Sequence, residues 1–204
     1  MDIRSPVAST AKQHAKVSVL RGSFQSWKYF HKYKPLLDYQ FVLKEDIYDQ
    51  AAKKLFAGLE AKKDVDVLIG ISVFRKMALE PGLASPGYSA TNKRYFLRAI
   101  ARMSAMYPGA MLFAVSDDVS WCRTAFEGVA NIVFVESMDP VVTLAMLMLA
   151  DHLILSVGSL GWWGAYQGDA LDVVYYNHWA RPHSAIARNY RENDYFLPHW
   201  TGLD

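Results

Sequence analysis

A single cysteine, Cys122, leaves the chain without any intrachain disulfide, and that neither demands nor excludes an oxidising compartment. Asn-x-Ser/Thr sequons are missing as well. The longest apolar run, 141–150, is too short to cross a bilayer, and residues 1–16 are polar, without the apolar core of a signal peptide. No sign of charge dominates. A formal net charge of +2 makes no case for nucleic acid. The six histidines, His14, His31, His152, His178, His183 and His199, fall at no metal-ligand spacing, and Asp117-Asp118 has no third carboxylate close by in sequence. No metal is expected. Neither a repeat, a low-complexity stretch nor a motif-framed Ser/His/Asp nucleophile occurs.

What remains is material for one packed domain. The 204 residues are 52% hydrophobic and 14% aromatic, enough to bury a full core. Charge is uneven along the chain. Residues 1–63 hold 12 Lys/Arg against 6 Asp/Glu, which suits either a solvated helix surface or attraction of an anionic ligand.

Apolar spacing predicts alternating strands and helices. Ile47, Ala51, Ala52, Leu55, Phe56 and Leu59 recur at helical intervals behind Asp46, a candidate N-cap. Residues 65–73 read as a strand buried on both faces, and 80–88, with two prolines and two glycines, as loop. Tyr95 to Met106 marks a helix stopped by Tyr107-Pro108-Gly109. Strands are expected over 110–115, 132–135, 153–157 and 173–176, with helices at 120–128 and 161–166 between them. Asp139-Pro140 starts a helix that is apolar nearly all round, hence deeply buried, with His152 as its cap. Residues 180–194 read as a charged surface stretch. The order implies a doubly wound, mostly parallel sheet whose ligand edge lies beyond the strand carboxyl ends. The strands ending near Val73, Val115 and Val157 should deliver their loops there.

Two segments at that edge carry the chemistry. Ser116-Asp117-Asp118-Val119-Ser120-Trp121-Cys122-Arg123 and Ser159-Leu160-Gly161-Trp162-Trp163-Gly164-Ala165-Tyr166 each follow an apolar run and open a helix, where unpartnered N–H groups suit phosphate. With Phe24-Gln25-Ser26-Trp27-Lys28-Tyr29-Phe30 and Phe196-Leu197-Pro198-His199-Trp200-Thr201-Gly202, they resemble, in the right order, four segments of the galactoside α-1,2-fucosyltransferases (glycosyltransferase family 11). The resemblance implies the Rossmann-like donor-binding half of a GT-B-like glycosyltransferase. It implies metal-free, inverting transfer of fucose from GDP-fucose to the 2-hydroxyl of a β-galactoside glycan. It also implies a Golgi membrane location. Such enzymes carry a membrane anchor and an amino-terminal Gly-Gly-Leu-Gly-Asn-Gln motif that do not occur here, so the chain looks like their carboxy-terminal two-thirds. On this reading residues 1–63 are a remnant of the amino-terminal region with a connecting helix, and 64–204 bind the nucleotide sugar.

The family's first motif, His-x-Arg-Arg-Gly-Asp, aligns with Ser72-Val73-Phe74-Arg75-Lys76-Met77, so Arg75 alone matches. A guanidinium there suits pyrophosphate through its planar fork. Asp117 and Asp118 are candidates for guanine recognition or for capping the helix behind them. Ser156, Gly158 and Ser159 are candidate phosphate contacts, with Ser159 equally readable as an ordinary helix cap. Ser116, Gly161, Trp162 and Trp163 shape the site. The tryptophans suit core packing, and one of them suits stacking on a sugar. The general base is unassigned. The broken first motif and the missing amino-terminal third favour an alternative, a non-catalytic descendant that keeps nucleotide or glycan binding. A fragment of a longer active enzyme is a second alternative, and the motif loss argues against it as the whole explanation, because truncation does not change Phe74.

Overall fold

The computed structural model describes residues 26–57, 65–79, 87–136, 139–189 and 191–204. Two 3-10 turns, Trp27–Tyr29 and His31–Tyr33, lead into α1 (Lys34–Gln40) and α2 (Glu45–Ala57). The first strand, β1 (Leu68–Val73), is followed by α3 (Lys76–Leu79) and α4 (Lys93–Met106). Then come β2 (Met111–Ser116), α5 (Val119–Ala125), β3 (Ile132–Glu136), α6 (Pro140–Met148), β4 (His152–Leu155), α7 (Ser159–Gln167) and β5 (Asp172–Tyr176). Two short helices, α8 (Ala185–Asn189) and α9 (Glu192–Tyr195), precede β6 (Thr201–Leu203).

The six strands form one sheet in the order β3-β2-β1-β4-β5-β6, and every pairing in it is parallel. Burial explains why these runs became strands. Every residue of β1, β2 and β4 is buried, as a parallel sheet covered on both faces requires. Right-handed crossovers stepping outward from β1 put α4 and α5 on one face, and those stepping through β4 and β5 put α7 on the other. Phe96 of α4 meets Trp121 and Phe126 edge-on at 5.9 and 5.5 Å on the first face. On the second, α2 packs on α6 and α6 on α7. The Tyr95 hydroxyl pins α4 to the sheet by donating to the carbonyls of Leu155 and Val174 at 2.7 and 3.1 Å.

The doubly wound parallel architecture is the one the alternating pattern predicts. Several boundaries differ. Helix α2 begins at Glu45, so Asp46 lies inside its first turn rather than capping it. The cap of α6 is as expected, with Asp139 accepting from the N–H groups of Val141 and Val142 at 2.8 and 3.3 Å. Its burial is not all round, because Val141 is 44% exposed and Leu149, just past its end, 38%. Strand β4 stops at Leu155, which leaves Ser156, Val157 and Gly158 as a loop. The surface stretch 180–194 contains α8 and α9, and β6 was not anticipated because Thr-Gly-Leu is too short to show alternation. Leu59, Phe24, Gln25 and most of the 80–88 loop lie outside the described residues.

His152 does not cap α6. It opens β4, where it is 3% exposed, stacked 3.8 Å from the Tyr107 ring, and accepts the Asp172 N–H at Nδ1 at 3.1 Å. Burial holds its pKa below the ordinary imidazole value, against the opposing pull of Asp172 and Asp151. The folded state therefore resists protonation, and the unfolded chain binds the extra proton. Stability is complete above the unfolded-state pKa and falls as pH drops below it. We expect His152→Gln to flatten urea-measured stability between neutral pH and about pH 5, the range in which an unperturbed histidine charges. An unchanged acid slope would disprove this origin.

Candidate functional site

The strand order reverses between β1 and β4, since the chain steps one way from β1 to β2 and β3 and the other way from β4 to β5 and β6. The carboxyl ends at such a reversal are the usual ligand position in sheets of this kind. Ser72 in β1 is level with Val115 in β2 and Leu155 in β4, so the three following loops emerge together. Arg75, Asp117, Asp118, Ser156, Gly158 and Ser159 all lie on these loops or at the helix starts behind them.

Polar side chains lace the loops to one another. Buried Ser116 donates its hydroxyl to the Val73 carbonyl and accepts the Asp118 N–H, both at 2.8 Å. Asp117 turns both carboxylate oxygens on the start of α3, accepting the N–H groups of Arg75 at 3.2 Å and Lys76 at 3.1 Å. Asp118 caps α5 by accepting the Trp121 N–H at 3.1 Å. The Ser156 hydroxyl accepts the Phe74 N–H at 2.9 Å, and the Ser156 N–H donates to the Ser72 carbonyl at 2.9 Å. Asp117, Asp118 and Ser156 thus each accept backbone N–H groups that tie the loops and helix starts together.

Three features are left for a ligand. The Arg75 guanidinium sits over Trp121, its carbon 3.7 Å from the ring centroid, and its buried Nε has no hydrogen-bond partner. That stacking fixes the fork while its other N–H groups stay available. Secondly, Gly158 precedes α7 at φ 118, a conformation that side chains rarely adopt, and no side chain caps the helix. Thirdly, exposed Ser159 opens that helix, whose first N–H groups and positive dipole end face the edge.

Gly161 sets how close α7 comes. A Cβ there would stand 2.6 Å from the Ser72 hydroxyl oxygen, so only glycine lets the first turn of α7 sit on the end of β1. Ser72 is 1% exposed beneath it and does not open to that edge. Trp162 is buried, donates Nε1 to the Tyr195 carbonyl at 2.8 Å and stacks on Tyr166 at 5.0 Å. Trp163 is 37% exposed and stacks on Phe30 at 5.4 Å. Burial pushes the Cys122 thiol up to about 11, so it is no thiolate nucleophile. Among the described residues, no group of three or more His, Cys, Asp or Glu could hold a metal ion. Sequence reasoning gave Trp121 no role. Its only signal was its place in the segment that also holds both aspartates.

The fold and this edge define a doubly wound α/β protein with its candidate ligand position at a strand-order reversal. Residues 13–204 match glycosyl transferase family 11, and the chain belongs to that family. Its relatives include the galactoside 2-alpha-L-fucosyltransferase Sec1 of Mus musculus, 25% identical over 185 residues that cover 87% of this chain and 49% of that protein. The galactoside alpha-(1,2)-fucosyltransferase 2 of Gorilla gorilla gorilla is 24% identical over 184 residues, 87% of this chain and 53% of that one. The chain thus spans about half the length of these relatives, not two-thirds. Structural neighbours include the family 9 glycosyl transferase from Veillonella parvula DSM 2008, with 15% identity and a TM-score of 0.49 over 79% of this chain and 41% of that one. POFUT1 in complex with GDP follows at 14% identity and a TM-score of 0.46, over 68% and 47%.

The capping geometry has a direct consequence. Asp118→Ala should cost about 1 kcal/mol of unfolding free energy, and Asp118→Asn much less, because asparagine still accepts at an N-cap. Asp117→Ala should cost more, roughly 1–3 kcal/mol, since two N–H groups lose a charged acceptor. Urea titrations of the three variants measure both. Wild-type stability in Asp117→Ala would contradict the lacing.

Proposed function

We propose that this chain is the donor-binding half of a GT-B-like fucosyltransferase that takes GDP-fucose and transfers fucose, with inversion, to the 2-hydroxyl of a β-galactoside glycan. The observations that carry the reading are the stacked Arg75 and the uncapped start of α7, which follow the carboxyl ends of the paired strands β1 and β4. Departure of GDP leaves negative charge on the pyrophosphate. A fixed guanidinium and a helix amino terminus are preorganised donors for that charge. Asp117 and Asp118 then contribute by fixing the loops, with Ser159 and the Gly158 backbone as the phosphate contacts of α7. No metal is assigned in this reading. A Golgi membrane setting is part of this reading only through the resemblance to the galactoside α-1,2-fucosyltransferases; among the described residues no helix is long and apolar enough to cross a membrane.

A second reading, nucleotide or glycan binding without turnover, draws on the first-motif positions. Phe74 offers no fork, and buried Ser72 has no access to a ligand. A histidine at 72 would need the first turn of α7 to shift, because Ser72 already fills the space beneath Gly161.

Calorimetry with GDP and GDP-fucose tests both readings. Arg75→Ala should weaken GDP binding about 10- to 100-fold, the value of a hydrogen bond to a charged group, with little change in melting temperature. Transfer to lactose separates enzyme from binder. A folded chain that ignores GDP at millimolar concentration defeats the donor assignment in both.

A further inference from the structure

Helix α4 carries its charge against its own dipole. Lys93 and Arg94 occupy its first turn, where the positive end of a helix favours carboxylates, and no acid in that turn offsets them. Helix α2 shows the ordinary pattern, with Glu45 and Asp46 at its start and Lys54 in its last turn. Over its whole length α4 has four basic residues, Lys93, Arg94, Arg98 and Arg102, and no acid. All four are exposed, and none forms an ion pair among the described residues. Arg98 donates to the Asp204 carbonyl at 2.8 Å. A merely solvated helix face mixes both signs at i, i+4 spacing.

The same face has a second property. Leu97, Ala101 and Ala105 recur four apart beside Arg94, Arg98 and Arg102, on the side of α4 turned away from its buried residues Phe96, Ala99 and Met103. Lys93, Arg94, Leu97, Arg98 and Ala101 line a shallow trough there. Successive arginines stand about 6 Å apart along the axis. The two alanines leave the backbone open to close approach, and rows of this spacing are the grooves that the ridges of another helix fill. That pairing of rows decides between anionic occupants. A lipid surface calls for bulky apolar anchors, and Leu97 is the one large apolar side chain in the trough. A nucleic acid would gain nothing from the apolar row, and the chain as a whole is nearly neutral, with 22 Lys/Arg against 20 Asp/Glu. A helix with carboxylates along one flank and apolar side chains along the other matches both rows at once.

We propose that the outer face of α4 is a docking surface for an acidic amphipathic helix of a partner protein. Carboxylates four apart on that helix pair with Arg94, Arg98 and Arg102, while its apolar side chains pack on Leu97 over Ala101 and Ala105. The arriving carboxylates offset the unfavourable placement of Lys93 and Arg94 at the helix start. This surface is independent of the transferase reading.

The probe is a synthetic helical peptide with glutamate at every fourth position along one flank and leucine along the other. It is titrated against the full chain by fluorescence anisotropy, with GDP calorimetry in parallel. Saturable binding that weakens as salt rises is expected. Arg94→Glu combined with Arg102→Glu should weaken it about 10-fold, since two ion pairs become like-charge contacts. Neither arginine holds a side-chain hydrogen bond among the described residues, so the double variant keeps its fold, which a melting curve checks. Ala101→Phe should weaken the peptide similarly, by holding the partner's backbone away. Lys53→Glu, on α2, should leave binding unchanged. No saturable binding of the peptide overturns the proposal, as does binding untouched by the double charge reversal or lost equally in Lys53→Glu. Tighter binding of an oligonucleotide of the same charge, or of phosphatidylserine vesicles, overturns it too. A parallel loss of GDP affinity in the double variant would put these arginines at the donor edge and overturn it as well.

Discussion

The seating of α7 on the end of β1, through the contact of Gly161 with Ser72, governs the arrangement of the site. The clearance leaves no room for a Cβ at 161. Because the helix comes that close, its amino terminus arrives at the carboxyl ends of β1 and β4 instead of being held away by side chains. Gly158, at its left-handed φ, supplies the sharp turn that brings the chain from β4 into that approach. The tryptophan that follows is then drawn into the core, where Trp162 anchors α9 through the Tyr195 carbonyl. The placement of α9 thus follows from the same seating that presents α7 to the edge.

The edge also shows how ligand chemistry and local architecture compete for the same side chains. A carboxylate beside a helix start is stabilised by unpaired N–H groups, whatever else passes nearby. Asp117 and Asp118 have both taken such positions, on two different helices. The result is a rigid triangle of loops from β1, β2 and β4. Rigidity is what an electrostatic site needs, because donors that do not reorganise lose least when charge develops. Arg75 gains from this indirectly. Its backbone is held by Asp117 and its side chain by Trp121, so the guanidinium is fixed from two directions.

Much of this was legible in the residues. Near-continuous apolar runs announced buried parallel strands, and Asp139-Pro140 announced a helix start, because both signals are local. The clustering of Arg75, Asp117 and Ser159 at one edge followed from strand and helix alternation alone. Other features depended on partners distant in sequence. His152 looked like a helix cap because it follows an apolar run. It is a strand residue because Tyr107 and Asp172 enclose it. Strand β6 forms because β5 offers an open edge at Val174–Tyr176, not because Thr-Gly-Leu favours extension.

The sequence by itself determined the class of fold, the strand-to-helix turns and the residue types available at them, since each rests on apolar periodicity and short-range capping. Family membership was also carried by local segments in a fixed order. Only the tertiary structure decided the use of each residue. It assigned the aspartates to capping, put Arg75 on Trp121, buried Ser72 beneath α7 and joined Trp27 to α9 across most of the chain. The physical reason is that a side chain's role depends on which unpaired groups and ring faces lie within a few ångströms, and the strand order fixes those neighbours. In this protein the reversal between β1 and β4 makes that choice.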